Sequence, residues 1–240
     1  MRGDEILSYA IVPTLSNSEQ AAVSAYESAL ELAHLSRRDV TSVVATGYGR
    51  GSIDFADKTV TEITCHAVGA RRLFPEAMSV IDIGGQDSKL IRLSPNGRVE
   101  DFAMNDKCAA GTGRFLEVMA RALDTDLESL AALSARSTSD VRISSTCTVF
   151  AESEVVALVA KGVPKEDIIR GLHRSVAERI FSMVVRLRAK PPFVMTGGVA
   201  KNAGVVAAVE ERVGGGILLP EEPQIVGALG AAIVARGRND

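Results

Sequence analysis

The stretch that decides the fold is Val80-Ile81-Asp82-Ile83-Gly84-Gly85-Gln86-Asp87-Ser88-Lys89. A β-branched apolar run holds a single carboxylate and stops at two glycines, so it reads as a buried strand ending in a tight turn. A Gly-Gly turn lets backbone N–H groups approach phosphate oxygens with no Cβ in the way. Asp82 is placed to hold a hydrated Mg²⁺, and Gln86 or Asp87 to orient an attacking water. The plainer alternative is a tight β-turn with a solvated polar tip. A second turn of the same shape, Val-Met-Thr-Gly-Gly-Val-Ala-Lys-Asn, occupies Val194 to Asn202. Two strand–Gly-Gly turns in opposite halves of one chain predict a nucleotide held between two lobes. Neither a G-x-x-x-x-G-K-[ST] loop nor a G-x-G-x-x-G turn is present, which argues against P-loop and dinucleotide folds. Gly111-Thr112-Gly113 resembles the latter only superficially.

Working outward, glycines punctuate alternating strand and helix patterns, which predicts an α/β chain with mixed sheets. Strands are expected at Glu5 to Val12, Thr41 to Ala45, Met78 to Ile83, Val141 to Ser144 and Phe193 to Thr196. Pro95-Asn96-Gly97 between apolar runs predicts a hairpin of Ile91 to Leu93 with Val99 to Met104. Helical spacing marks Ser18 to Leu35, Lys58 to Leu73, Gly113 to Leu123, Thr148 to Lys161 and Gln224 to Ala235. A further helix starts at Thr125, where Thr125 and Glu128 form a T-x-x-E capping pattern. Gly162 is set to end one helix and Pro164 to begin the next, which buries Ile168, Leu172, Val176, Ile180, Met183 and Leu187 on one stripe.

At 240 residues the chain is long enough for a real core; folding would reduce an accessible area of about 37,000 Å² to about 10,000 Å². With 27 Lys and Arg against 30 Asp and Glu the net charge is −3, so no polybasic face is available for nucleic acid or an anionic membrane. No apolar run reaches the roughly 18 residues of a membrane span, and the opening MRGDEILSYA carries no signal region. A cytoplasmic protein is expected, with no nucleic acid or membrane partner.

Three cysteines, an odd number, exclude a disulfide framework for a cytosolic chain. Cys108 and Cys147 each stand just before an expected helix, where free N–H groups and a partial positive charge stabilise a thiolate or an anionic cluster. Both also fit the role of small buried hydrophobes. Two ligands do not complete a four-thiolate site, but a symmetric dimer with its axis through the metal does, and zinc would satisfy the same count. Cys65 lies mid-helix and reads as core. His66, His34 and His173 show no ligand pattern.

Taken together these segments resemble the ATPase activators of 2-hydroxyacyl-CoA dehydratases and the related ATPase subunits of benzoyl-CoA reductases, the BadF/BadG/BcrA/BcrD-type family. The matching stretches are A-T-G-Y-G-R (Ala45 to Arg50), I-D-I-G-G-Q-D-S-K, N-D-K-C-A-A-G-T-G-R-F-L-E, I-S-S-T-C-T-V-F-A-E-S-E, G-L-H-R-S-V-A-E-R, M-T-G-G-V-A-K-N and G-A-L-G-A-A. The resemblance implies an actin-like (ribonuclease H-like) two-lobed ATPase fold. Residues 1–80 with 226–240 would form the first lobe, and 81–225 the second, carrying the cluster ligands. It also implies a homodimer bridging one [4Fe–4S] cluster through Cys108 and Cys147 of each chain. The activity implied is ATP-driven transfer of one electron to a dehydratase, or to a benzoyl-CoA reductase core, with a ferredoxin or flavodoxin as donor. Asp82 and Gln86 would serve Mg²⁺ and water positioning. Gly84, Gly85, Gln86, Gly111, Thr112, Gly113, Gly197, Gly198 and Gln224 would contact ATP or ADP. The family's opening strand and D-x-G-S/T-x-x-x-K hairpin have no counterpart here, and the expectation is a true start upstream of Met1. A redox-silent actin-like ATPase or kinase and a non-enzymatic docking module are the rival expectations.

Overall fold

The computed structural model describes residues 1–144 and 147–237. Among them are eight α-helices: Ser18–Leu32 (α1), Glu62–Leu73 (α2), Gly113–Ala122 (α3), Leu130–Ser134 (α4), Thr148–Ala160 (α5), Lys165–Leu187 (α6), Ala203–Val213 (α7) and Val226–Ala235 (α8). The seven strands are Val44–Ala45 (β1), Lys58–Thr59 (β2), Ser79–Ile83 (β3), Ser88–Leu93 (β4), Val99–Asn105 (β5), Phe193–Thr196 (β6) and Ile217–Leu218 (β7). The chain divides into two compact units, one of Met1–Pro75 with the residues from Gln224 onward, the other Glu76–Pro223.

The first unit is built on α2 against α8. The backbones meet closely because glycines line the contact. A Cβ on Gly230 would lie 1.8 Å from the Cys65 carbonyl oxygen, and one on Gly69 2.1 Å from that of Val226. Cys65 is fully buried there, as its mid-helix position predicts, and burial pushes its thiol pKa up. β1 and β2 pair in parallel over two residues each. Glu5 to Val12 forms no strand; a single bridge, Arg2 to Glu5, is the ladder's nearest equivalent. An alternating pattern forms a strand only where a partner edge is offered, and no described strand offers one. The expected helix from Lys58 starts later, at Glu62, after Lys58–Thr59 pairs with β1 and Thr61 caps the helix by accepting from the Thr64 N–H.

The second unit is a five-stranded mixed sheet in the order β5-β4-β3-β6-β7. β3 to β5 form an antiparallel meander, while β6 joins β3 in parallel and β7 joins β6 in parallel. Every residue of β3 and β6 is buried, as befits central strands covered on both faces. α6 supplies the main covering stripe, and Ile168, Leu172, Val176, Ile180, Met183 and Leu187 are all buried in the cluster that includes Ile81, Leu90 and Phe115. α7, a helix not among the expected elements, packs against α6; Asn202 caps it by accepting from the N–H groups of Gly204 and Val205.

Two further expectations change here. Val141 to Ser144 is not a strand, because its neighbour is a helix: the Val141 carbonyl sits against Gly171 of α6, where a Cβ would lie 2.6 Å away. Asp167 accepts from Ser137 Oγ and from the N–H groups of Thr138 and Ser139, so the approach to it is clamped by a side chain rather than by a ladder. Those three donors hold the Asp167 carboxyl below the usual range. Thr125 and Glu128 do not cap a helix. Asp126 accepts from the Ser129 N–H instead, and the helix begins at Leu130.

Candidate functional site

At the C-terminal end of β3, three side chains from three adjacent strands converge. Asp82 stands opposite Lys89 of β4 and opposite Thr196 of β6 in register. The Thr196 hydroxyl donates to Asp82 Oδ1 at 3.0 Å. Lys89 Nζ lies 3.3 Å from Asp82 Oδ2 and 2.7 Å from Asp87 Oδ2. Asp82 and Lys89 are each 4% exposed. Burial alone would lower the Lys89 pKa, but the charges of Asp82 and Asp87 outweigh it and the net shift is upward. The site thus holds two carboxylates around one buried ammonium, with net negative charge left over to attract a cation.

The turn that follows is shaped by its neighbours. The Gly84 N–H donates to the Asp87 carbonyl at 2.9 Å. Gly85 and Gln86 are exposed, and nothing lies within 4 Å of where a Gly85 Cβ would sit, so the tip of the turn is open. The carbonyls of Gly84 and Gly85 accept from the N–H groups of Gly113 and Arg114 at 2.8 and 2.7 Å. The first turn of α3 therefore caps the back of the glycine turn. Gly111, Thr112 and Gly113 are buried. Gly111 adopts φ +84° against the Arg179 side chain, and the Thr112 hydroxyl donates to the Ala109 carbonyl at 2.6 Å.

The second glycine turn packs on the end of β3. Gly197, at φ +87°, approaches so closely that a Cβ would lie 2.4 Å from the Ile83 carbonyl and 2.9 Å from Asp82 Oδ1. Only glycine meets both demands. Gly198 then opens a 3₁₀ turn through Lys201. The structure brings Asp82, Gly84, Gly85, Gln86, Gly111, Thr112, Gly113, Gly197 and Gly198 into one unit. Gln224 is exposed and belongs to the other unit.

The two remaining cysteines sit differently from one another. Cys147 is the N-cap of α5, half-buried, with its carbonyl accepting from the Ala151 N–H at 3.0 Å. Its approach is anchored by Glu154 of the same helix, whose carboxylate accepts from the Ser144 N–H at 2.7 Å; Ser145 and Thr146 of that segment lie outside the described residues. Cys108 is half-buried but not at a helix end, because the Ala109–Thr112 turn separates it from α3. It is held from behind by Asn105 of β5, whose amide donates to the carbonyls of Cys108 and Ala110 at 2.9 and 3.0 Å. No group of three or more His, Cys, Asp or Glu side chains converges for metal binding among the described residues. Lys89, Thr196, Asn105 and Glu154 are the site-forming residues that the sequence reading missed. Lys89 and Thr196 are visible only once strand register is known.

The buried Asp–Lys–Thr cluster and the paired glycine turns stand on a β5-β4-β3-β6-β7 sheet, and the fold is α/β of the actin-like class. The sequence pattern of the BadF/BadG/BcrA/BcrD ATPase family matches residues 9–235, and the chain belongs to that family. It is 52% identical over 211 residues to the activator of lactoyl-CoA dehydratase from Anaerotignum propionicum, covering 88% of this chain and 82% of that one. Component A of the (R)-2-hydroxyglutaryl-CoA dehydratase of Acidaminococcus fermentans superposes with a TM-score of 0.94 at 48% identity, over 98% of this chain and 91% of that one. The Clostridium difficile activator of 2-hydroxyisocaproyl-CoA dehydratase, solved with ADPNP, superposes with a TM-score of 0.86 at 47% identity, over 90% and 81% of the two chains. No helix among the described residues is long and apolar enough to cross a membrane.

Proposed function

We propose that this chain is an ATP-dependent activator of a 2-hydroxyacyl-CoA dehydratase, delivering single electrons through a [4Fe–4S] cluster shared by two copies of the chain. The observation that carries the reading is the sorting of the three cysteines. Cys65 is locked in the α2–α8 contact, which leaves Cys108 and Cys147 half-buried and anchored within one unit. Two thiols per chain are half of a four-thiolate set, so the donor count fits a cluster on a two-fold axis. Exposed Val149 and Phe150, in the turn directly behind Cys147, give a second copy an apolar surface to cover. When bound, the cluster would supply a one-electron centre at a potential set by its surroundings.

Residues 1–80 with 226–240 are proposed as the first actin-like lobe, and 81–225 as the second. ATP or ADP would rest its phosphates on Gly84, Gly85, Gly197 and Gly198, with Gly111, Thr112, Gly113 and Gln224 as further nucleotide contacts, and the N–H groups of Gly113 and Arg114 hold the first turn from behind. Asp82 would hold Mg²⁺ through water, since its own oxygens already engage Lys89 and Thr196. Exposed Gln86 would orient the attacking water. Relatives named for lactoyl-CoA, 2-hydroxyglutaryl-CoA and 2-hydroxyisocaproyl-CoA dehydratases support a 2-hydroxyacyl-CoA dehydratase as electron acceptor; a ferredoxin or flavodoxin would be the donor. Anaerobic purification with iron and sulfide analysis tests the reading. About four irons per dimer is the expected result; stoichiometric zinc, or no metal, overturns it.

A further inference from the structure

We infer that Asn105 and Arg179 are positioning residues for the Cys108 thiol, acting as a two-step clamp on the loop that carries it. This rests on the cluster reading above for its purpose, but its geometry stands on its own. Asn105 closes β5 and is 8% exposed. Both hydrogens of its amide are committed, one to the Cys108 carbonyl at 2.9 Å and one to the Ala110 carbonyl at 3.0 Å. Its amide oxygen accepts from Arg179 Nη2 at 3.2 Å. Arg179 comes from α6, the long helix that covers the sheet, and its Cβ and Cγ fill the space where Gly111 lacks a side chain.

The consequence is that the Cys108 loop is fixed at three points to two rigid elements. Asn105 ties it to the sheet, Arg179 ties Asn105 to α6, and the aliphatic stem of Arg179 buttresses Gly111. The turn from Ala109 to Thr112 adds two internal bonds, from the Thr112 N–H and hydroxyl to the Ala109 carbonyl. A metal ligand needs its orientation fixed by groups beyond itself, and these supports are as decisive as the ligand for how the centre behaves. An asparagine suits the task because one planar amide donates twice and accepts once. An aspartate in its place keeps the shape and the Arg179 contact but replaces the NH₂ group that donates to both carbonyls with an oxygen that donates to neither. A lysine at 179 keeps the charge but loses the planar fork.

The test compares wild type with Asn105→Asp and Arg179→Lys, which keep the core volume. In metal-free protein, iodoacetamide alkylation of Cys108 is measured by mass spectrometry against Cys147 of the same chain. Both variants should raise the Cys108-to-Cys147 rate ratio, Asn105→Asp by about tenfold, the factor expected when two net hydrogen bonds are lost from a local opening equilibrium. In iron-loaded protein the same variants should shift the electron paramagnetic resonance g-values of the reduced centre, a change that a loss of global stability does not produce. An unchanged alkylation ratio in both variants overturns the inference. A wild type that takes up no iron overturns the cluster reading instead, and the alkylation ratio still decides whether Asn105 and Arg179 hold Cys108.

Discussion

Single residues in this protein are mostly explained by what they face across a strand or helix. Asp82 was legible in the sequence as a carboxylate ending an apolar strand, but Lys89 and Thr196 were not, because strand register is a property of three segments together. Replacing Lys89 by Met leaves Asp82 and Asp87 without their shared cation. Removing one partner of a buried ion pair costs about 3–5 kcal/mol, so the Lys89→Met urea midpoint should drop accordingly. His173 presents the opposite case: a histidine 1% exposed, with neither ring nitrogen hydrogen-bonded. Burial lowers its pKa from 6.5 to about 4. The unfolded chain therefore takes up a proton that the folded chain refuses. Stability from this group is complete above pH 6.5 and declines as pH falls towards 4, by a total of about 3 kcal/mol. Urea unfolding at pH 7.5 and 5 should show a smaller acid loss for His173→Leu than for wild type.

At the scale of elements, the sequence read well where periodicity and punctuation agreed. β6 and the stripe of α6 came out as expected, and the hairpin around Asn96-Gly97 formed with β4 extended back to Ser88. The two absent strands share one cause, that an extended pattern needs an edge to pair with. Glu5 to Val12 and Val141 to Ser144 have suitable residues, but each meets a helix: the Ser8 hydroxyl donates to the Ala29 carbonyl of α1, and the Val141 carbonyl sits against Gly171 of α6. α7 escaped notice although Asn202 before it and Gly214 after it, at φ +69°, are ordinary start and stop signals. Its run of alanines and valines, with Glu210 and Glu211 its only acidic residues, shows little polar alternation to mark a helix face. α7 meets α6 and α4 tightly at Gly204, where a Cβ would lie 2.5 Å from His173 Nδ1 and 2.7 Å from Ser134 Oγ. Gly204→Ala should therefore destabilise the protein by about 1–3 kcal/mol through overpacking, read as a lowered melting temperature.

For the whole molecule, the function proposed places the working centre between two copies of the chain, so assembly and metal content should rise and fall together. Phe150, 67% exposed and three residues from Cys147, is the side chain through which this is tested. Phe150→Glu should shift the anaerobic protein from dimer to monomer in size-exclusion chromatography with light scattering, and reduce bound iron in proportion. A dimer that persists with full iron would show that the copies meet elsewhere. The family was legible from seven short segments because they lie in order over nearly the whole chain, a combination more specific than any one glycine turn. The capping of the Gly84–Gly85 turn by α3 carries an electrical consequence. In a trans peptide the N–H points opposite to the C=O, so the two peptides whose oxygens accept from α3 turn their N–H groups, those of Gly85 and Gln86, away from the helix. Hydrogen-bonded peptides polarise one another, and the positive pole of α3 is thereby relayed one peptide further than its own first turn reaches. An anion resting on the glycine turn would feel a helix it never touches.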